Sequence, residues 1–575
     1  MSSTSRPARA MNPRQPEESG AGGLVLTRRD AAALLGLLVA TLAFFWQMLR
    51  PVGHWYIVAG DFSNQFFPFR AFAAAEWWSG RIPLWDPDML AGHPFLADIQ
   101  TAVFYPPALL NALVFGRRGF PFVALEGEVV LHTFLAAAFT YLLARKVSGS
   151  QLGAIVAAIA FGFGGFITSY PAQQLAVLET AVWLPLLVLC LELAFEDGVR
   201  LRWVAAAGLV FGVAILAGHP QTDLFIAYAA GGYLLWRLGW RRARLRDWLG
   251  SVFLFPACAF GLAAIQIFPT LAFLRTSIRS QMDFAEAAHG YLLTSLPEIF
   301  VPLWHGEKAL SVGVVALFLA LVGAWAARRE PVFYWVIPGL LAIPLSTGGA
   351  TPLFWFLYHF VPGWDLFRDQ ERVIYVFSFA AALLAARGVA WVEKATDPVS
   401  LKLFLRWLRA AWLLAAIAGV LALLLTIDHG ALTAPASLRD NLALDAAVLA
   451  ALAVGLRLAR RTGDGAPDLA AGLPRWTSAL LVLLVIGEAF AINYGNNLGP
   501  TPPDARPHLA ATAEFLRDYP EPFRVRGISE TVFPSDYGSM VGLPTIGGDT
   551  PFLDQRMDEM LKADADWRVW QILNV

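Results

Sequence analysis

An aspartate, Asp61, opens the stretch GDFSNQFFPFR at residues 60–70, directly after an apolar run long enough to cross a membrane. A carboxylate is costly to hold at membrane depth, so its presence there asks for a reason. It can take a proton from a hydroxyl whose oxygen attacks a carbon centre. It can also help to ligate a cation, or simply cap the helix that follows. On a helix Asp61, Gln65 and Phe69 share one face, while Phe62, Phe66, Phe72, Ala73 and Trp77 recur at near-helical spacing. This pattern predicts a helix lying in the interface plane, with Asp61 at headgroup depth. A substrate with a lipid tail and a polar head would reach it there.

The same loop continues as SGRIPLWDPDMLAGHPFLADIQTAVFYPPALL. Trp85–Pro87 and Gly92–Pro94 are turn chemistry, so Asp86 and Asp88 are expected to hold turns. Asp98 lies in an apolar context and needs a partner, and Tyr105-Pro106-Pro107 starts a short segment that either re-enters or lies flat. Arg368 and Arg372, in LFRDQERVIY, are i, i+4 at the start of an apolar helix. Two guanidiniums at a helix N-terminus make an anion site. The competing reading is local pairing with Asp369 and Glu371. Arg275 and Arg279 form a weaker pair that snorkelling would also explain. AGHPQTD places His219, Gln221 and Asp223 at a helix junction. The histidines His93, His219, His289, His305 and His359 are scattered, without His-x-x-x-His spacing, and predict hydrogen-bonding roles and no metal centre. A divalent cation on Asp61 and Asp98 is the alternative. No P-loop or dinucleotide fingerprint occurs.

What must position these groups is a membrane bundle. The 575 residues are 57% hydrophobic and only 15% charged, far below the share a soluble surface carries. The net charge of −1 gives no electrostatic case for nucleic acid. Cys190 and Cys258, the two cysteines, sit in apolar runs and do not suggest a disulfide framework. About thirteen spans are expected, at 31–49, 120–144, 152–169, 176–195, 203–217, 222–238, 249–273, 311–327, 332–346, 373–392, 408–427, 442–459 and 476–493. With a cytoplasmic N-terminus (residues 1–30, polar and expected disordered), every inner loop is basic, from Arg145 and Lys146 to Arg457, Arg460 and Arg461. The long loops, including 50–119 and 494–575, then lie outside the cytoplasm, and loops of that length usually carry function.

The stretch GDFSNQFFPFR…GRIPLWDPDMLAGHPFLADIQTAVFYPPALL resembles the YfhO-like bacterial membrane proteins, a likeness that continues in AGHPQT at 217–222 and LFRDQERVIYVFSFAAALLAARG at 366–388. That family is assigned to the GT-C class of membrane glycosyltransferases. The resemblance implies an all-α polytopic fold with a GT-C-like domain over 31–493. It also implies transfer of a sugar from a polyprenyl-phosphate carrier to a glycan or lipid acceptor outside the cytoplasm, in the bacterial inner membrane. It places the catalytic base or metal ligand at Asp61, with Asp98 second. Gln65, Arg70, His93, His219, Gln221, Arg368 and Arg372 are the expected substrate contacts.

In the C-terminal segment, TAEFLRDY reads as an amphipathic helix and PFRVRGIS as a strand, giving a small α/β unit. Its end, WQILNV, resembles the family stretch before the outer domain continues, so the segment is either minimal or cut short. Two other functions fit many spans: a flippase of lipid-linked sugars, and a non-catalytic scaffold of polysaccharide assembly. A flippase predicts mid-span charges along a path and repeated halves. The mid-span charges are Glu126, Glu128, Glu179 and Glu488, and no repeat is evident.

Overall fold

The computed structural model describes residues 26–575 except 170–173, 281, 301–307, 396–397, 428–435, 460–473, 503–506, 520–522, 527–535, 563–566 and 574. The expected N-terminal tail therefore lies almost wholly outside the described residues. Each of the thirteen expected apolar segments is helical, from Arg28–Phe44 through Phe122–Ser148 and Leu245–Leu274 to Arg475–Asn493. Among the described residues, eight helical stretches are long and apolar enough to cross a membrane, two of them, Gln151–Ser169 and Leu175–Ala194, interrupted within their length. Others are shorter, and the breaks in both groups follow local chemistry. Leu175–Ala181 and Trp183–Ala194 are separated by a kink at Val182 two residues before Leu184-Pro185, and the 331–345 segment starts as a tight turn at Pro331.

Small residues bring the central helices together. A side chain on Gly323 would collide with the backbone of Leu384, and one on Gly388 with the backbone of Leu319, so helices Val314–Ala326 and Ile374–Lys394 touch main chain to main chain. Close approach of this kind substitutes for a hydrophobic driving force, which lipid does not supply between helices.

One end of the bundle gathers the basic loops. Arg145 and Tyr141 bond Asp30, Lys146 pairs with Glu196, Arg200 with Glu196 and Asp197, and Arg387 with Glu330. The opposite end carries the 50–121 loop. There Tyr56–Ile57 pairs antiparallel with Leu498–Gly499, tying the first loop to the chain that follows the last membrane helix.

The aromatic segment after Asp61 differs from expectation. Residues Phe62–Phe66 form a π-turn that passes into the α-helix Phe67–Trp78, and the Phe67 amide bonds the Phe62 carbonyl. Pro68 has no N–H to give, which favours this widened turn. Phe62, Phe66, Phe67 and Phe69 are buried inside the protein and do not lie on an interface plane. Phe62 and Phe67 pack edge-on to Phe122, and Phe69 edge-on to Phe95. The periodicity was that of a core helix, and an apolar stripe cannot by itself say whether lipid or protein covers it. Pro106–Phe115 is a helix lying along Phe67–Trp78, with Leu110, Leu113, Val114 and Phe115 exposed.

The C-terminal segment folds back onto this loop. Thr545 bonds the Asp88 carbonyl there, and Asp554 bridges Ser277, just past the helix Leu245–Leu274. The expected helix is present at Pro507–Arg517. The expected strand is reduced to one bridge, Val525 with Thr545; Phe523, Arg524 and Arg526 beside it are not in a strand, and residues 522 and 527–529 of the run lie outside the described residues.

Candidate active site

Asp61 stands at the start of the π-turn without capping it, and its carboxylate instead accepts a hydrogen bond from Gln174 Nε2. Gln174 precedes the helix Leu175–Ala181. The half-buried carboxylate is therefore oriented from the start of a neighbouring helix. One turn on, buried Gln65 donates from Nε2 to Gln100 Oε1 at 2.7 Å. Gly218 lies so close to Ile99 and Gln100 that any side chain there would strike their backbone, and its φ of +96° suits glycine alone. Gly218 leads into His219, which caps the helix Pro220–Trp240 by accepting the Thr222 amide at 3.2 Å. Gln221 donates to the Arg368 carbonyl at 2.7 Å and accepts from Arg372 at 3.0 Å. A continuous path of contacts thus runs from the Asp61 turn to the arginines.

At the far end of that path three cations converge. Arg372 also bonds Asp369 at 3.0 Å, and Arg368 pairs with Asp369 at 3.5 Å and Glu286 at 4.0 Å. Asp369 has φ +59°, an uncommon left-handed state for a non-glycine residue, fixed between the two arginines. Arg279 donates to the Pro551 carbonyl at 3.1 Å. Burial and then the charge of Arg368, with Arg372 adding to it, hold the Arg279 guanidinium below its ordinary value. Arg368 keeps 47% of its side chain exposed, so the cluster has a cation open to a ligand. Of the two readings of LFRDQERVIY, local pairing and convergence are both present: Asp369 arranges the arginines without burying them.

The remaining expected contacts are built into the fold. Arg70 is 2% exposed, and its guanidinium donates to Glu128 at 3.2 Å, to the Thr101 carbonyl at 3.0 Å and to Glu179 at 2.8 Å. It anchors the first loop to the bundle, since every nitrogen has a protein acceptor. Asp98 is fully buried. Its Oδ1 accepts the Gln100 amide at 3.0 Å, and Oδ2 meets His93 Nε2 at 3.3 Å and the Thr550 hydroxyl. Asp98 and His93 are thus buried and bonded to each other, and Asp98 also holds the C-terminal segment through Thr550. The apolar context that asked for a partner found two of them. Among the described residues no group of three or more His, Cys, Asp or Glu could hold a metal ion. With Asp98 so committed, the donors do not fit a divalent cation shared with Asp61.

Asp86 behaves as its turn context requires, accepting the Asp88 amide at 2.9 Å and bridging His93 through the backbone. It also accepts from Ser539 of the docked segment. Burial, then the neighbouring Asp86, push the Asp88 carboxyl up to about 6. Burial raises Asp86 and Asp536 as well. The docked form thus holds more protons than an undocked one between the ordinary carboxylate value and about 6. Docking is expected to weaken as pH rises through that window. Hydrogen exchange at residues 536–556 should quicken between pH 5 and pH 7 beyond the intrinsic base catalysis of exchange; corrected rates that do not rise would contradict the assignment.

Sequence reasoning missed Gln174 and Gln100 as organising residues, while it named Asp369 as the pairing partner that the two arginines have. Gln100 was visible as the last residue of ADIQ, whereas nothing in sequence links Gln174 to Asp61 across 113 positions.

No protein-family model matches the chain, and no curated protein matches it in sequence. Solved structures do. The chain is similar to ArnT from Cupriavidus metallidurans in the apo state, at 15% identity and TM-score 0.50, over 92% of this chain and 87% of that one. It is similar to the Archaeoglobus fulgidus oligosaccharyltransferase in the apo form, at 13% identity and TM-score 0.50, over 95% of this chain and 69% of that one. At this identity the likeness is one of fold: the all-α chain, with its long apolar helices, shares the fold of these two structures.

Proposed function

We propose that this protein is a membrane glycosyltransferase that moves a sugar from a polyprenyl-phosphate carrier to a hydroxyl of a glycan or lipid acceptor. The observation that carries the reading is the pairing, at one end of a GT-C fold, of an aimed carboxylate at Asp61 with the arginine cluster of 279, 368 and 372. The YfhO-like motifs over residues 60–110, 217–222 and 366–388 support the same subfamily and the carrier. The basic loops gathered at the opposite end support an orientation with Asp61 outside the cytoplasm, in the bacterial inner membrane.

In this reading Asp61 accepts the acceptor's hydroxyl proton as that oxygen bonds the anomeric carbon. The bond from that carbon to the carrier phosphate breaks, and its electron pair leaves with the phosphate. The arginines stabilise the added charge. The acidic residues in the helices favour this over transport. Glu126 accepts the Ile57 amide at 3.1 Å, Glu488 accepts the Val314 amide, and Glu128 and Glu179 hold Arg70. Each of these four glutamates ties one element to another.

Removing Arg372 tests the anion half. Arg372→Gln should lower turnover roughly 10²-fold, the scale of losing one charge-stabilising donor. Because Gln221 and Asp369 lose a partner too, Gln221→Glu serves as a comparison that keeps Arg372 paired. Full activity of Arg372→Gln with a polyprenyl-phosphate sugar would remove the arginine from the reaction.

A further inference from the structure

The C-terminal segment touches both halves of the candidate site with adjacent residues. Thr550 donates its hydroxyl to Asp98, whose other oxygen accepts the Gln100 amide, and the Gln100 side chain accepts from Gln65, one turn beyond Asp61. The next residue, Pro551, accepts a hydrogen bond from Arg279 Nε at 3.1 Å. The segment then runs antiparallel to the chain just past the helix Leu245–Leu274. The Ile278 amide bonds the Leu553 carbonyl at 3.0 Å and the Gln555 amide bonds the Thr276 carbonyl at 2.7 Å, on either side of the Ser277–Asp554 bridge.

Local chemistry fixes where the Pro551 carbonyl points. Proline's ring restricts its own φ and the backbone of the residue before it. The Thr550 hydroxyl oxygen also accepts the Phe552 amide at 3.0 Å, which closes a short turn around Pro551, and Phe552 is buried in the main core. Arg279 needs such an anchor. Its guanidinium faces the like charges of Arg368 and Arg372, while Glu286 and Asp369 attract it without pairing. The Pro551 carbonyl is the one acceptor its side chain has among the described residues, and it takes Nε alone. The Nη1–Nη2 edge, which can grip two oxygens of a phosphate, is left over.

We propose that Thr550 and Pro551 are positioning residues for carrier binding: the docked segment holds the Arg279 guanidinium with its Nη1–Nη2 edge toward the phosphate of the polyprenyl carrier. The inference rests on the carrier reading of the arginine cluster. It makes carrier affinity depend on a segment 272 positions from Arg279 in the chain.

The test measures binding of a short-chain polyprenyl phosphate to the full chain in detergent, with the matching uncharged polyprenol as control. Binding needs no proton transfer, so Asp61 does not enter it. Arg279→Gln should weaken polyprenyl phosphate about tenfold, a charge-assisted bond's worth, and leave polyprenol unchanged. Thr550→Val should weaken it about fivefold, and Thr550→Ser, which keeps the hydroxyl, should bind as the wild type does. The double variant Arg279→Gln, Thr550→Val should bind as Arg279→Gln alone does, because Thr550 acts through Arg279. Losses that add in the double variant, or wild-type binding by either single variant, would overturn the proposal and leave the carrier reading in place. Polyprenyl phosphate that binds the wild type no better than polyprenol would overturn both.

Discussion

Replacing Asp61 with Asn is expected to lower sugar transfer by about 10²–10⁴-fold, the contribution of a positioned general base. The substitution is nearly isosteric, and the Asn side-chain oxygen can still accept the Gln174 hydrogen bond seen in the native turn. Thermal unfolding should therefore move little, which separates chemistry from folding. Gln174→Ala removes the group that aims the carboxylate and should cost less, with turnover reduced and carrier binding retained. The measurement is steady-state transfer by purified protein, alongside unfolding of each variant. Undiminished transfer by folded Asp61→Asn would mean that another group takes the proton.

The largest effect on stability is expected at Arg70. Its charge is buried between Glu128 and Glu179, and removing one partner of such a group typically costs about 3–5 kcal/mol because the other charges are left unpaired. Arg70→Met should thus destabilise the protein by roughly that amount in denaturant unfolding. The triple variant Arg70→Met, Glu128→Gln, Glu179→Gln should regain most of the loss, since replacing a whole buried ion cluster is often near neutral. If Arg70→Met unfolds like the wild type, the first loop is held by its aromatic packing alone. A triple variant no better than the single would show that the hydrogen bonds to Thr101 and Asn111, more than charge, set the cost.

These two residues also show what could be read from the chain. The bundle was legible because apolar length and basic loops are local signals, and all thirteen segments proved helical. Asp61 was legible as a candidate because a carboxylate beside an apolar run breaks a rule that local composition obeys. Arg70 lies nine residues away and was read as a substrate contact. Its true partners, Glu128 and Glu179, are 58 and 109 positions distant, and no spacing rule reaches that far. Asp98 illustrates a half-success. Its need for a partner was evident from its apolar neighbours, and one partner, His93, is five positions away, but the other, Thr550, is 452 positions on. The aromatic stripe at 62–77 had the right period and the wrong surroundings, because burial against Phe122 and Phe95 is decided by tertiary packing.

The measurement that bears most directly on the account is bond cleavage itself. Purified wild-type protein would be given synthetic polyprenyl-phosphate sugars with candidate acceptors, and free polyprenyl phosphate and newly linked sugar would be counted together. The account predicts that both appear in equal amounts and that both fall together in Asp61→Asn. Movement of intact carrier-linked sugar across a vesicle membrane, with no carrier released under any acceptor, would contradict it and establish the transporter reading in its place.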